Sequence, residues 1–148
     1  MSKMIQALLT GMLMAFILDF FLFLGIKTNY IDAYGIDLYY NILFADNQNI
    51  YIYALLSFIL GYTLIYHSAK LALTLFALLS LLVLSTLYAP IGHSVGEAVL
   101  MKRDVSLQTN KYSYHGNILY EGRKTITFYD YKIDKTLHLD KNKIKGEY

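Results

Sequence analysis

Three long apolar runs, Met4–Ile26, Ile50–Tyr66 and Leu71–Ile91, occupy most of the first 91 residues. A helix that crosses a bilayer needs about 20 mainly apolar residues, with roughly 17–25 tolerated. In hydrocarbon every backbone N–H and C=O must be satisfied inside the segment, so runs of this kind are expected to be helices. The expected fold class is therefore membrane α+β, with three transmembrane α-helices (one helix, then a helical hairpin) ahead of a small antiparallel β module of four to five strands. The boundaries read as 1–92 for the helical region, 93–103 for a linker and 104–148 for the module.

The exit of the first run, Leu24-Gly25-Ile26-Lys27-Thr28-Asn29, has no small-x-small cleavage pattern, and its apolar stretch is longer than a signal core. It reads as a retained helix. Of the 148 residues, 56% are hydrophobic and 16% charged, a balance outside that of ordinary soluble domains. The chain has no cysteine, which excludes disulfides, thiolate nucleophiles and cysteine-ligated metals. It has fifteen tyrosines and no tryptophan. Several of those tyrosines, among them Tyr30, Tyr34, Tyr51, Tyr66 and Tyr88, stand near the ends of the runs. There a ring with a polar tip anchors in the headgroup layer.

After the first run, Ile31, Tyr34, Leu38 and Ile42 recur at helical spacing, so 30–44 is expected to be one amphipathic interfacial helix. The link His67-Ser68-Ala69-Lys70 forces a tight antiparallel hairpin. Pro90 and Gly92 are expected to end the third helix.

From Asp104 the pattern changes to short alternating runs: Val105–Leu107, Tyr112–Tyr114, Ile118–Tyr120, Thr125–Tyr131 and Thr136–Leu139. Turns are expected at Asn110-Lys111, Glu121–Arg123 and Ile133–Lys135. An SH3-like half-barrel is the architectural comparison. Leu107, Ile118, Ile126, Phe128, Leu137, Leu139 and Ile144 are its candidate core.

Lys3 precedes the first helix, whereas the loop after Lys27 is acidic, with Asp32, Asp37 and Asp46. By the positive-inside rule this sets a multi-pass protein of the cell (inner) membrane, with a cytoplasmic N-terminus and the module outside. The tail pulls the other way, since ten of the thirteen Lys and Arg lie in Lys102–Lys145.

Asp19 is the only Asp, Glu, Lys or Arg within the three runs. A carboxylate at that depth costs about 2.5–3.5 kcal/mol on insertion scales and must find a partner. It shares a stripe with Ala7, Gly11 and Ala15, four residues apart, and small residues so spaced let helices approach closely. The second helix offers Ala54, Ser57 and Gly61. Ala7, Gly11, Ala15, Asp19, Ser57 and Gly61 are thus the candidate packing or assembly residues. Ser57, Ser85 or Thr86 is the expected hydrogen-bond donor to Asp19.

Other constellations are weaker. His93 and Glu97 share a helical face but lack a third ligand, so no metal site is assigned. Gly116–Gly122 lacks the lysine-serine end of a phosphate loop. No catalytic or cofactor-binding set emerges. Lys102 and Arg103 are the candidate membrane-surface contacts. Ten basic residues against six acids leave the tail at +4, too interleaved for a nucleic-acid groove. The expected partners are membrane lipid and a protein partner or second copy. The function expected is that of a non-enzymatic scaffold or accessory subunit presenting the β module for protein–protein interaction. The alternative is a small oligomeric transporter or channel component using Asp19.

Overall fold

The computed structural model describes residues 2–109 and 112–145. It divides into two compact units, Met1–His93 and Ser94–Tyr148. The expected turn at Asn110-Lys111 lies outside the described residues.

The first helix, α1 (Lys3–Ile26), opens on the Ser2 hydroxyl, which accepts from the Ile5 N–H at 3.4 Å. It does not stop at Ile26. A wider, π-type turn carries it through Lys27–Ile31, and Gly35 then takes a left-handed φ of 64°. The Ile36 N–H donates to the Ile31 carbonyl and the Gly35 N–H to the Asp32 carbonyl, both at 3.0 Å. This is the paired closure of a Schellman cap, with Ile31 and Ile36 buried as its apolar contact. The expected interfacial helix over 30–44 is therefore not one helix. Its first part is the end of α1, Gly35 breaks the pattern, and only α2 (Tyr40–Asn47) is helical beyond it.

Asn49 caps α3 (Ile50–Tyr62), its side-chain oxygen accepting from the Tyr51 and Ile52 N–H groups. A second π-type turn, Thr63–His67, finishes that helix. Ser68 caps α4 (Ala69–Leu84), which tightens to a 3-10 turn at Ser85–Leu87. The chain breaks at Tyr88, and α5 (Ala89–Leu100) follows. The third apolar run thus ends earlier than Ile91. Pro90 opens a helix instead of closing one, because in a first turn its missing N–H leaves no bond unmade.

Three of the resulting helices, Lys3–Ile31, Ile50–His67 and Ala69–Leu87, are long and apolar enough to cross a membrane. α1 is the centrepiece. It runs antiparallel to α3 and parallel to α4, with Met14, Leu18 and Leu60 in the shared interior against Leu75, Phe76 and Leu79. Most large side chains point away from that interior: Phe58, Leu78, Leu81 and Leu82 are all more than 60% exposed.

The second unit carries strands β1 (Lys102–Thr109), β2 (Ser113–Glu121), β3 (Thr125–Asp130), β4 (Lys135–Asp140) and the two-residue β5 (Ile144–Lys145). All pairings are antiparallel, in the order β4-β3-β2-β1-β5. The runs Tyr112–Tyr114 and Ile118–Tyr120 belong mostly to one strand, β2. β1 pairs with the first half of β2, at 113–118, and β3 with its second half, at 116–121. The sheet therefore coils across β2. That brings the end of β4 close enough for three residues, Lys141–Lys143, to lead back to β1. Leu107, Ile118, Ile126 and Phe128 form the buried core, with Val105, Tyr114, Leu139 and Ile144 against it. Gly116 sits mid-strand because a Cβ there would lie 1.9 Å from the Tyr129 carbonyl oxygen.

Candidate functional site

The stripe of small residues on α1 is filled from within the chain. A Cβ on Gly11 would lie 1.9 Å from the Ser57 carbonyl oxygen, and one on Gly61 would lie 1.9 Å from that of Ala7. The two backbones touch, which only residues of this size permit. Ala7, Ala15 and Ser57 are buried in the same seam. Ala54 is exposed, and Tyr53 takes the next place, its hydroxyl donating to the Met12 carbonyl at 3.1 Å.

These contacts fix the level of Asp19. Ala7 meets Gly61 and Gly11 meets Ser57, so Asp19 falls opposite the start of α3. The Gln48 side-chain amide donates to its carboxylate at 2.9 Å. The expected hydroxyl donors are elsewhere. Ser57 donates to the Tyr53 carbonyl at 2.7 Å, Thr86 to Val83 at 2.7 Å and Ser85 to Leu82 at 2.6 Å. A hydroxyl in a helix has a carbonyl of its own preceding turn within reach. Asp19 therefore needed a donor from a non-helical position, and Gln48 ends α2. Tyr40 lies beside this pair, donating to the Phe20 carbonyl at 3.0 Å, and Phe44 packs edge-on against Phe16 and Phe23.

A second polar knot, not foreseen from the sequence, joins the extension of α1 to the break after α4. The Asn29 amide donates to the Thr86 carbonyl at 2.8 Å. A Cβ on Gly25 would lie 2.0 Å from the Thr86 hydroxyl, and one on Gly92 2.1 Å from its carbonyl oxygen. Tyr30, fully buried, packs against Tyr34 and His93, with ring centroids 5.0 and 5.7 Å away. The signal was present in Gly25, Asn29 and Gly92, but the contact spans 57 residues.

In the second unit Lys102 and Lys141 both hold Glu121, at 2.8 and 2.7 Å. Their hydrogen bonds draw the Glu121 carboxyl from its ordinary 4.5 down to about 2. Arg103 pairs with Glu97 at 3.2 Å. His115 accepts from or donates to Ser106 at 3.0 Å, and His138 stands 3.4 Å from Thr127. Among the described residues no three His, Cys, Asp or Glu side chains gather as a metal site would require. At one margin of the sheet, among the described residues, β4 has β3 on a single side. Beside it opens a cleft of 580 Å³, walled by Tyr112, Tyr114, His138, Leu139 and Asp140.

Compared with protein families, with curated proteins and with solved structures, the chain matches none.

Proposed function

We propose that this is a non-enzymatic, multi-pass protein of the cell membrane whose three apolar helices anchor the β module for a protein partner. The charge balance around α1 favours a cytoplasmic N-terminus and a module on the outer side. The observation that carries the reading is the margin of the sheet. β4 is six residues long, contains no proline and is exposed at Lys135, Thr136 and His138, and among the described residues it has a neighbour on one side alone. Such a margin accepts an extended segment as an added strand, with main-chain bonds giving affinity and flanking pockets giving selectivity. The adjoining cleft supplies such a pocket, apolar at Leu139 and aromatic at Tyr112 and Tyr114. Because the small-residue stripe is used inside the chain, the module is the better docking surface.

The test is photo-crosslinking in native membranes from Thr136 and His138 of the full chain. A discrete adduct from Thr136 that disappears when His138→Pro removes an N–H on the side of β4 away from β3 supports the reading. Absence of any adduct from both positions overturns it.

A further inference from the structure

The touching backbones of α1 and α3 leave a furrow on the outside of their seam. It holds 110 Å³ and is lined by Met4, Ala7, Leu8, Phe58, Tyr62 and Tyr66, with almost no polar surface. One wall is a ladder of rings on a single face of α3. Phe58 stacks on Tyr62 at 5.8 Å and 20°, and Tyr62 on Tyr66 at 5.3 Å and 22°. All three are at least half exposed, so the ladder is not there to fill the interior. From Phe58 to Tyr66 the wall runs eight residues, about 12 Å at 1.5 Å per residue. One leaflet of hydrocarbon is about 15 Å deep.

The end of the helical unit where Met4 and Tyr66 line the furrow carries basic residues in sequence. Lys3 adjoins Met4 and His67 adjoins Tyr66 in the chain, and Lys70 lies in the first turn of α4. No Asp or Glu occurs in residues 2–18 or 50–96, so nothing acidic on these helices offsets those groups. A second furrow, of 90 Å³ between α1 and α4 at Ile17, Phe21, Phe76 and Val83, has no such basic end.

We propose that the α1–α3 furrow is a binding site for one anionic phospholipid. One acyl chain lies along the Phe58–Tyr62–Tyr66 wall, and the headgroup phosphate is held by Lys3 and Lys70 with His67 beside it. The lining presents almost no polar surface, so an acyl chain lies along it without leaving a buried polar group unpaired. The inference rests on the membrane reading above. It also agrees with the orientation favoured there, since the cytoplasmic leaflet carries the anionic lipids.

The full chain, purified in mild detergent, is titrated with phosphatidylglycerol, phosphatidylcholine and glycerol phosphate, and bound molecules are counted by native mass spectrometry. One phosphatidylglycerol is expected per chain, held at least about fivefold more tightly than phosphatidylcholine, the factor expected of one basic group at an anionic surface. Glycerol phosphate should not compete. Lys3→Gln with Lys70→Gln should erase the preference between the two lipids, and Leu8→Trp, which fills the furrow, should remove the bound lipid. Phe58→Ala, which cannot overfill the seam, should weaken binding of both lipids alike. Equal retention of the two lipids, or a preference that survives the double lysine change, overturns the site. Release of the chain from native membranes by alkaline carbonate would instead overturn the membrane reading, and so tells the two failures apart.

Discussion

The two units solve the problem of an interior in opposite ways. The β module hides its large side chains, with Phe128, Ile118 and Ile126 fully buried. The helical unit turns many of its large side chains outward and brings backbone against backbone at Gly11, Gly61 and Ala7. In water the first arrangement is driven by removing apolar surface from solvent. In lipid that drive is absent between helices, and close van der Waals approach replaces it. The difference is what the proposed membrane reading requires of a helical unit in lipid and a module in water.

That contrast can be broken in four ways. The largest effect is expected in the module. Phe128→Ala should cost about 3–5 kcal/mol. For a core of four buried residues that should abolish the module's thermal transition while the helices keep theirs, as followed by circular dichroism. Next, Gly61→Leu forces a side chain against the Ala7 carbonyl and should cost about 3 kcal/mol. A cysteine pair at Leu8 and Tyr62 that cross-links in the parent should then fail to do so.

Third, Asp19→Leu removes the acceptor for Gln48 and should lower helical-unit stability by about 1–2 kcal/mol. Asp19→Asn keeps an oxygen there and should recover most of the loss in a detergent melting assay. Unchanged melting for Asp19→Leu would end the role of this pair as a latch. The smallest effect is acid sensitivity at Glu121. Its carboxyl is held below the unfolded value, so the stabilisation is complete above about pH 4.5 and is lost as pH falls toward about 2. With both partners partly exposed, the contribution is about 1 kcal/mol after screening. Glu121→Gln should remove that pH dependence from the module's transition.

What the sequence made legible was whatever depends on local pattern. The three apolar runs are helices, and the alternating tail is a sheet, with its turns at Gly122 and Asp134. The ends of the helices were harder. The periodicity of Ile31, Tyr34, Leu38 and Ile42 spans Gly35, where one left-handed residue ends one helix before the next begins. Pro90 has the same composition signal whether it closes a helix or opens one. Partners across the fold were least legible. The donor to Asp19 depends on how α1 and α3 slide past one another, which the pairing of Gly11 with Ser57 decides. The Asn29–Thr86 bond depends on α1 running past its apolar stretch, and no local pattern announces that.

The continuation of α1 through Lys27–Ile31 makes its length unequal to its neighbours'. Its 29 residues reach about 43 Å, against a hydrocarbon core of about 30 Å. Tilting by about 40°, the steep end of what spanning helices adopt, still leaves about 33 Å to accommodate. On the membrane reading proposed above, a helix of that length outruns the hydrocarbon even at full tilt, and the Asn29–Thr86 bond ties its excess to the end of the third apolar helix.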